Sequence, residues 1–376
     1  MAEGRGRHLR EGRAQRAGRI CGTRFVEPDR CGARIGQMSE LMNGSTLLRH
    51  DQQQQKAKRL YQVPHPLKRY QNSYGCVECR APIARAAETG VLQWVMESFI
   101  LSNAGIRMPG ILYGTAWKKA ETARLVGCAI RHGFRGIDTA CQPKHYDEAG
   151  VGAGVGACVG PGLARGDLYL QTKFTSVSGQ DPQRIPYDPR AQLPVQVAQS
   201  VAASLGNLQT DYLDCLVLHS PLPTPAQTLA AWRAFESLVD AGQVRQLGIS
   251  NCYDRADLER LYESCRIKPA VLQNRFHAVT GYDREIRAFC AARQIVYQSF
   301  WTLTANPEVL AHPTLIALAA SHQRTAPQIL FRYLTHIGAI PLTGTRSDTH
   351  MRQDLAIFDF ELTSAERRAV GALVGG

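Results

Sequence analysis

Along this chain, short apolar runs repeatedly end on polar residues of the types that move protons and stabilise developing charge. Asp138 follows GI, Lys173 follows LQT, His219 follows LVL, and Ser250 with Asn251 follows LGI. A carboxylate, an ammonium and an imidazole gathered around one reacting atom can hold, donate or accept a proton there. Each residue alone has an ordinary explanation: Asp138 as a helix cap, Lys173 as a snorkelling surface cation, His219 as a satisfied histidine at a sheet edge. What makes them a set is their common place at the C-terminal end of a β-rich run. A closed parallel barrel brings those ends together on one face.

Two other motifs suggest chemistry and lose it on inspection. GVGAGVGACVG, residues 150–160, contains GxGxxG-like matches but begins where a helix is expected, and no acidic residue about 20 positions later ends an apolar strand, as a dinucleotide fingerprint requires. Its glycines are read instead as weakening that helix, at about 1 kcal/mol each relative to Ala. Cys76 and Cys79 form a CxxC pair, but a zinc site needs two more ligands, and Cys21 and Cys31 lack such spacing.

The elements that must position the polar set follow a regular alternation from Ser98 onward. FILSNAGIRMP predicts a hairpin turning at Asn103 to Gly105. MPGILYG predicts a first barrel strand and KKAETARLVGCAIRHG a helix that ends at Gly133. RGIDTA, LYLQTKF, LDCLVLH, VRQLGIS, AVLQNRF, IVYQSF and, after two further helices, IGAIPLTG supply the remaining strands, with helical patterns between them. Eight strand–helix units predict an α/β fold, a (β/α)8 barrel over 98–376.

Residues 1–97 have a different texture: Gly-Arg repeats, a glutamine run at Gln52 to Gln55 and no sustained periodicity, read as a basic, disordered extension. They hold 17 Lys and Arg against 9 Asp and Glu, whereas 98–376 hold 27 against 23, so most of the formal charge of +12 lies outside the barrel. A nucleic-acid face on the barrel is therefore not expected. The longest apolar candidate for a membrane span, 91–101, is interrupted by Gln93, Glu97 and Ser98. Most of the 11 cysteines sit singly in apolar runs, which reads as the reduced thiols of a soluble cytoplasmic enzyme, here expected to be a monomer.

GFRGIDTA, HYDEAGVG, LQTKF, LHSP, AGQVRQLGISN, VLQNRFH and FDFELT, in this order, resemble the aldo-keto reductase superfamily from about Ser98 to about Leu373. The resemblance implies a nicotinamide-dependent reduction of aldehyde or ketone carbonyls and a catalytic tetrad of Asp138, Tyr146, Lys173 and His219. Tyr146 would donate the proton, Lys173 would favour the phenolate left behind, Asp138 would hold Lys173, and His219 would orient the carbonyl; no metal is required. It also implies cofactor contacts from Ser250, Asn251, Gln273 and Ser299, and phosphate contacts from Thr343, Gly344, Thr345, Arg346 and His350. Trp117, Phe300 and Trp301 are the aromatics placed beside the substrate.

The chain departs from the family pattern in four places. CQPKH lengthens the interval before Tyr146, and SVSGQDPQRIPYDPRAQ lengthens the one before His219. Gln298 stands where an aromatic usually stacks on nicotinamide. Leu342 stands where a lysine usually meets the adenosine 2′-phosphate, so Arg346, His350 and Arg352 are the cations left to favour NADP(H) over NAD(H). Two other functions fit a barrel with these residues: a cofactor-binding redox sensor or scaffold with little turnover, and a lyase or aldolase in which a neutral Lys173 forms a Schiff base.

Overall fold

The computed structural model describes residues 98–375, and the expectations for the extension and for Cys76 and Cys79 fall outside them. Strands β1 (Phe99–Leu101) and β2 (Arg107–Pro109) pair antiparallel, turning at Gly105, whose φ of 73° suits glycine. The barrel follows: β3 (Leu112–Gly114), β4 (Gly136–Asp138), β5 (Tyr169–Phe174), β6 (Cys215–Leu218), β7 (Leu247–Ser250), β8 (Val271–Arg275), β9 (Val296–Phe300) and β10 (Ala339–Thr343). All eight are parallel in sequence order, and β10 closes on β3 with Thr343 opposite Tyr113.

The predicted first strand MPGILYG is in fact two. Met108 and Pro109 belong to the hairpin, because Pro109 has no amide hydrogen with which to continue a ladder, and the barrel starts only at Leu112. Between β9 and β10 there are three helices rather than two, since Pro307 and Pro313 each begin a new one.

The helices on the outer wall are α1 (Thr122–His132), α2 (Glu148–Gly156), α3 (Leu193–Leu208), α4 (Pro225–Asp240), α5 (Arg255–Ser264), α6 (Arg284–Ala291), α7 (Pro307–Leu310), α8 (Pro313–Ser321), α9 (Ala326–His336), α10 (Asp348–Leu355) and α11 (Ser364–Leu373). Their ends follow from local chemistry. Gly133, at φ 118°, closes α1; Asp147 caps α2; Thr325 with Gln328 and Thr363 with Glu366 form capping boxes on α9 and α11.

Period-two alternation divides every strand between two cores. Tyr113, Ile137, Leu170, Phe174, Leu216, Leu218 and Ile249 face the helices. Leu112, Tyr169, Cys215, Val217, Val271, Val296 and Ile340 face the barrel axis together with Met108, with which the hairpin covers one end. The same alternation carries Asp138, Gln171, Lys173, Gln273 and Gln298 inward, above that apolar layer and toward the C-terminal ends of the strands. No helix among the described residues is long and apolar enough to cross a membrane.

Candidate active site at the strand C-termini

Lys173 and Asp138 are the centre of the polar layer. Lys173 Nζ donates to Asp138 Oδ1 at 2.7 Å and Oδ2 at 2.6 Å, and to the Thr139 carbonyl at 2.8 Å, with side-chain exposures of only 1% and 4% for the pair. An ammonium with three acceptors and a carboxylate held on both oxygens satisfy each other's charge in a place water does not reach. Asp138 Oδ1 also accepts from Gln171 Nε2 at 2.7 Å and Gln273 Nε2 at 2.9 Å. Gln298 locks both glutamines, accepting from Gln171 at 2.8 Å and Gln273 at 2.9 Å and donating back to Gln171 at 3.0 Å.

Tyr146 and His219 stand above this pair, each partly open to solvent. Lys173 Nζ lies 5.3 Å from the Tyr146 ring centroid, and the Tyr146 and His219 rings meet edge-on at 6.1 Å. The longer interval before Tyr146 is taken up in one turn, in which the Tyr146 amide donates to the Gln142 carbonyl at 3.0 Å. Burial, with the nearby Asp138 charge, pushes the Tyr146 phenol well above its ordinary value, so it keeps its proton. Burial, with Lys173 and His145, pulls the His219 imidazole down to about 3, so it is neutral. His219 Nδ1 is 2.6 Å from Thr175 Oγ1, which leaves Nε2 as the ring nitrogen free for another partner.

The second long interval, 176–192, is anchored over the same region. Tyr187 OH donates to the Thr175 carbonyl at 2.7 Å, Gln180 Nε2 to the Cys141 carbonyl at 2.9 Å, and Gln142 Nε2 to the Gly179 carbonyl at 2.7 Å. Thr175 therefore joins the inserted segment to His219.

The other expected site residues ring this centre. Ser250 Oγ donates to the Gln273 carbonyl at 2.6 Å, and Asn251, left-handed at φ 52°, donates to the His219 carbonyl at 2.8 Å. Ser299 is fully buried and accepts from Thr302 Oγ1 at 2.9 Å. Trp117 and Trp301 are about half exposed, at 51% and 50%. Trp117 stacks on His145 at 3.9 Å, and Arg275 lies 4.2 Å over Trp301, with Phe300 beside it in sequence at the end of β9.

At the end of β10, Thr343 Oγ1 donates to Asp354 Oδ2 at 2.7 Å, and burial raises Asp354 to about 6. Leu342, partly buried, packs against the apolar cluster of the barrel interior. A cation nevertheless sits at this loop. Lys118, from the loop after β3, is 2% exposed and donates to the Gly344 carbonyl at 2.6 Å. Burial and the neighbouring Arg346 lower Lys118 to about 8. Arg346 itself donates to the Trp117 carbonyl at 2.6 Å, His350 Nδ1 is 3.4 Å from Thr345 Oγ1, and Arg352 donates to Thr349 Oγ1 at 3.2 Å. Lys118, Gln171, Thr139 and Thr175 carried no signal in the sequence analysis, because their roles depend on strands and loops far apart in the chain.

Three comparisons converge on one family. A model of the aldo/keto reductase family matches residues 105–374. An aldo-keto reductase of Mycobacterium sp. (strain JLS) is 30% identical over 274 residues, covering 72% of this chain and 91% of its own. An aldo/keto reductase from Brucella melitensis superposes with a TM-score of 0.63 at 28% identity, covering 73% of this chain and 98% of the other. A Bombyx mori aldo-keto reductase in complex with NADP superposes with a TM-score of 0.63 at 26% identity, covering 74% of this chain and 92% of the other.

Proposed function

This chain belongs to the aldo/keto reductase family, and from that premise we propose that it reduces aldehyde or ketone carbonyls with a reduced nicotinamide cofactor, NADPH in preference to NADH. The observation that carries the reading is the buried Lys173–Asp138 pair beneath Tyr146 and His219.

The residues of the β10 loop suit such a cofactor chemically. Lys118, Arg346 and His350 surround a stretch of backbone that Gly344 leaves bare, since a Cβ there would come no nearer than 3.9 Å to any atom, one of them Lys118 Nζ. The first turn of α10 follows at once, and free amides at a helix start favour anions such as a diphosphate. Thr343 has its hydroxyl committed to Asp354, so it would contribute through its backbone. Asn251, Ser250 and Gln273 adjoin the catalytic pair, where a carboxamide would be held. The NADP-bound relative supports the same cofactor class.

When bound, the nicotinamide supplies the hydride. The chain's own residues manage the proton and the developing charge. In the tautomer in which Thr175 donates to His219 Nδ1, the imidazole proton sits on Nε2, from which it would bond the carbonyl oxygen and polarise it. Tyr146 then gives its phenolic proton to that oxygen. The phenolate left behind faces the Lys173 ammonium, which Asp138 and the Thr139 carbonyl keep charged and fixed. Tyr146, a partly exposed residue, regains a proton from solvent. The Schiff-base alternative needs a neutral, reachable amine, whereas Lys173 is 1% exposed and bonded to both Asp138 oxygens.

Steady-state oxidation of NADPH and NADH with a panel of aldehydes and ketones tests this reading. Turnover is expected with both cofactors, and Arg346→Ala is expected to raise the KM for NADPH about tenfold and hardly alter that for NADH, as loss of a charge-assisted phosphate contact requires. Lys118→Met is expected to weaken both cofactors. Equal use of both by the native enzyme, with no effect of Arg346→Ala, would mean the 2′-phosphate is not read.

A further inference from the structure

We propose that Cys128, His132 and Asp348 form a binding site for a single zinc-type divalent cation on the outer wall of the barrel, where α1 meets the start of α10. Cys128 and His132 lie one turn apart on α1 and so share a face, and Asp348 is the first residue of α10. Cys128 Sγ donates to Asp348 Oδ1 at 2.9 Å, His132 Nε2 is 3.9 Å from Asp348 Oδ2, and the three ligand atoms all lie within 4.8 Å of one another.

A tetrahedral zinc site with bonds of about 2.0 to 2.3 Å places its ligand atoms about 3.3 to 3.6 Å apart. With Oδ1 at 2.9 Å from the sulfur and Oδ2 at 3.9 Å from the nitrogen, the carboxylate must turn so that one oxygen stands at that separation from both. The Asp348 carboxylate, whose side chain is 56% exposed, is free to turn, while Cys128 and His132 start from one face of the same helix.

Charge and ligand type fit the same cation. Cys128 binds as thiolate, its proton passing to solvent as the sulfur–metal bond forms, with no change in oxidation state. A thiolate, a carboxylate and a neutral imidazole balance a divalent charge. One sulfur, one nitrogen and one oxygen select zinc or cobalt over magnesium or calcium, and three protein ligands leave a fourth position for water. The cations nearby have other engagements: Arg124 donates to Glu121 at 2.7 Å, and Arg131 lies 3.9 Å from Cys158. A metal here would tie α1 to α10 directly behind the loop of Thr345 and Arg346, whether or not that loop holds a cofactor.

The test is a titration of the full chain with Co²⁺, read by the thiolate-to-cobalt charge-transfer band and the visible bands of tetrahedral cobalt. It is run in a Cys76→Ser/Cys79→Ser background, so that the CxxC pair contributes nothing. One equivalent with both signatures is expected. Adding Cys128→Ser is expected to abolish the charge-transfer band, and His132→Ala and Asp348→Ala each to weaken binding at least about tenfold. Asp348 is exposed, so loss in that variant does not reflect misfolding. Absence of the band at stoichiometric cobalt, or its persistence unchanged with Cys128→Ser or Asp348→Ala, would overturn the assignment.

Discussion

Lys173 and Asp138 show at the scale of single residues why one contact carries both stability and chemistry. Deleting one member of a buried pair strands the other, at about 3 to 5 kcal/mol. Lys173→Met is therefore expected to lose about that much unfolding free energy in urea. Asp138→Asn/Lys173→Met should recover most of it without recovering catalysis, because the neutral amide can still bond Gln171 and Gln273. Equal instability of the single and double variants would show that the pair's charge is not what destabilises. His219 gives a pH signature. An unfolded histidine titrates near about 6.5, whereas burial holds folded His219 to about 3. The unfolded chain thus binds the proton first, so the stability His219 contributes is whole above about pH 6.5 and fades as the pH falls toward about 3. As the pH falls from about 6.5 toward about 3 the native protein should lose stability relative to His219→Gln, which has no such group to protonate; parallel curves throughout would contradict the shift. Asp138, Lys173 and His219 were legible in the sequence because strand alternation and position after an apolar run are local signals. Gln171 and Lys118 were not: glutamine announces no chemistry, and Lys118 gains its place only when the barrel closes.

At the scale of elements, the glycines of α2 have a packing role beside their cost to the helix. α2 runs from Glu148 to Gly156, and two of its glycines are where other chain segments pass. A Cβ on Gly152 would fall 2.1 Å from the Asn207 carbonyl and one on Gly154 2.6 Å from the Ala123 carbonyl, both backbone atoms of neighbouring helices. Gly156 has nothing nearer than 3.7 Å. Propensity alone favours alanine at all three by up to about 1 kcal/mol, but overpacking costs about 1 to 3 kcal/mol. Gly152→Ala and Gly154→Ala should therefore destabilise, and Gly156→Ala should stabilise slightly, in chemical denaturation. Stabilisation by all three would mean that the close approach does not matter. Strand and helix order were readable from periodicity and caps. The hairpin boundary at Pro109 and the division at Pro307 were not, because each depends on where one proline falls within an otherwise continuous pattern.

At the scale of the whole molecule, the barrel links its two ends through polar side chains. Ser102 of the hairpin loop donates to Gln246 at 2.6 Å, Gln246 to Tyr169 at 2.9 Å and Tyr169 to Gln171 at 3.1 Å, which in turn holds Asp138. The hairpin is thus part of the enzyme's frame, whereas every proposed site residue lies within 98–375. Deleting residues 1–95 is expected to leave turnover and thermal unfolding unchanged; an insoluble or inactive product would show that the segment serves the barrel. The barrel was legible from its eight alternating units, but this end-to-end network joins residues too distant in sequence for pattern to reveal. The central claim is that Tyr146 delivers the proton as a carbonyl is reduced. Its most direct test is NADPH oxidation by Tyr146→Phe beside the native enzyme, on the best substrate of the panel, with cofactor affinity measured separately by fluorescence titration. The account predicts reduction below about a tenth of the native rate with nearly unchanged NADPH binding, since only the donor is removed. A variant that reduces the substrate at more than that fraction, or a native enzyme that turns over neither cofactor with any carbonyl tried, would contradict it.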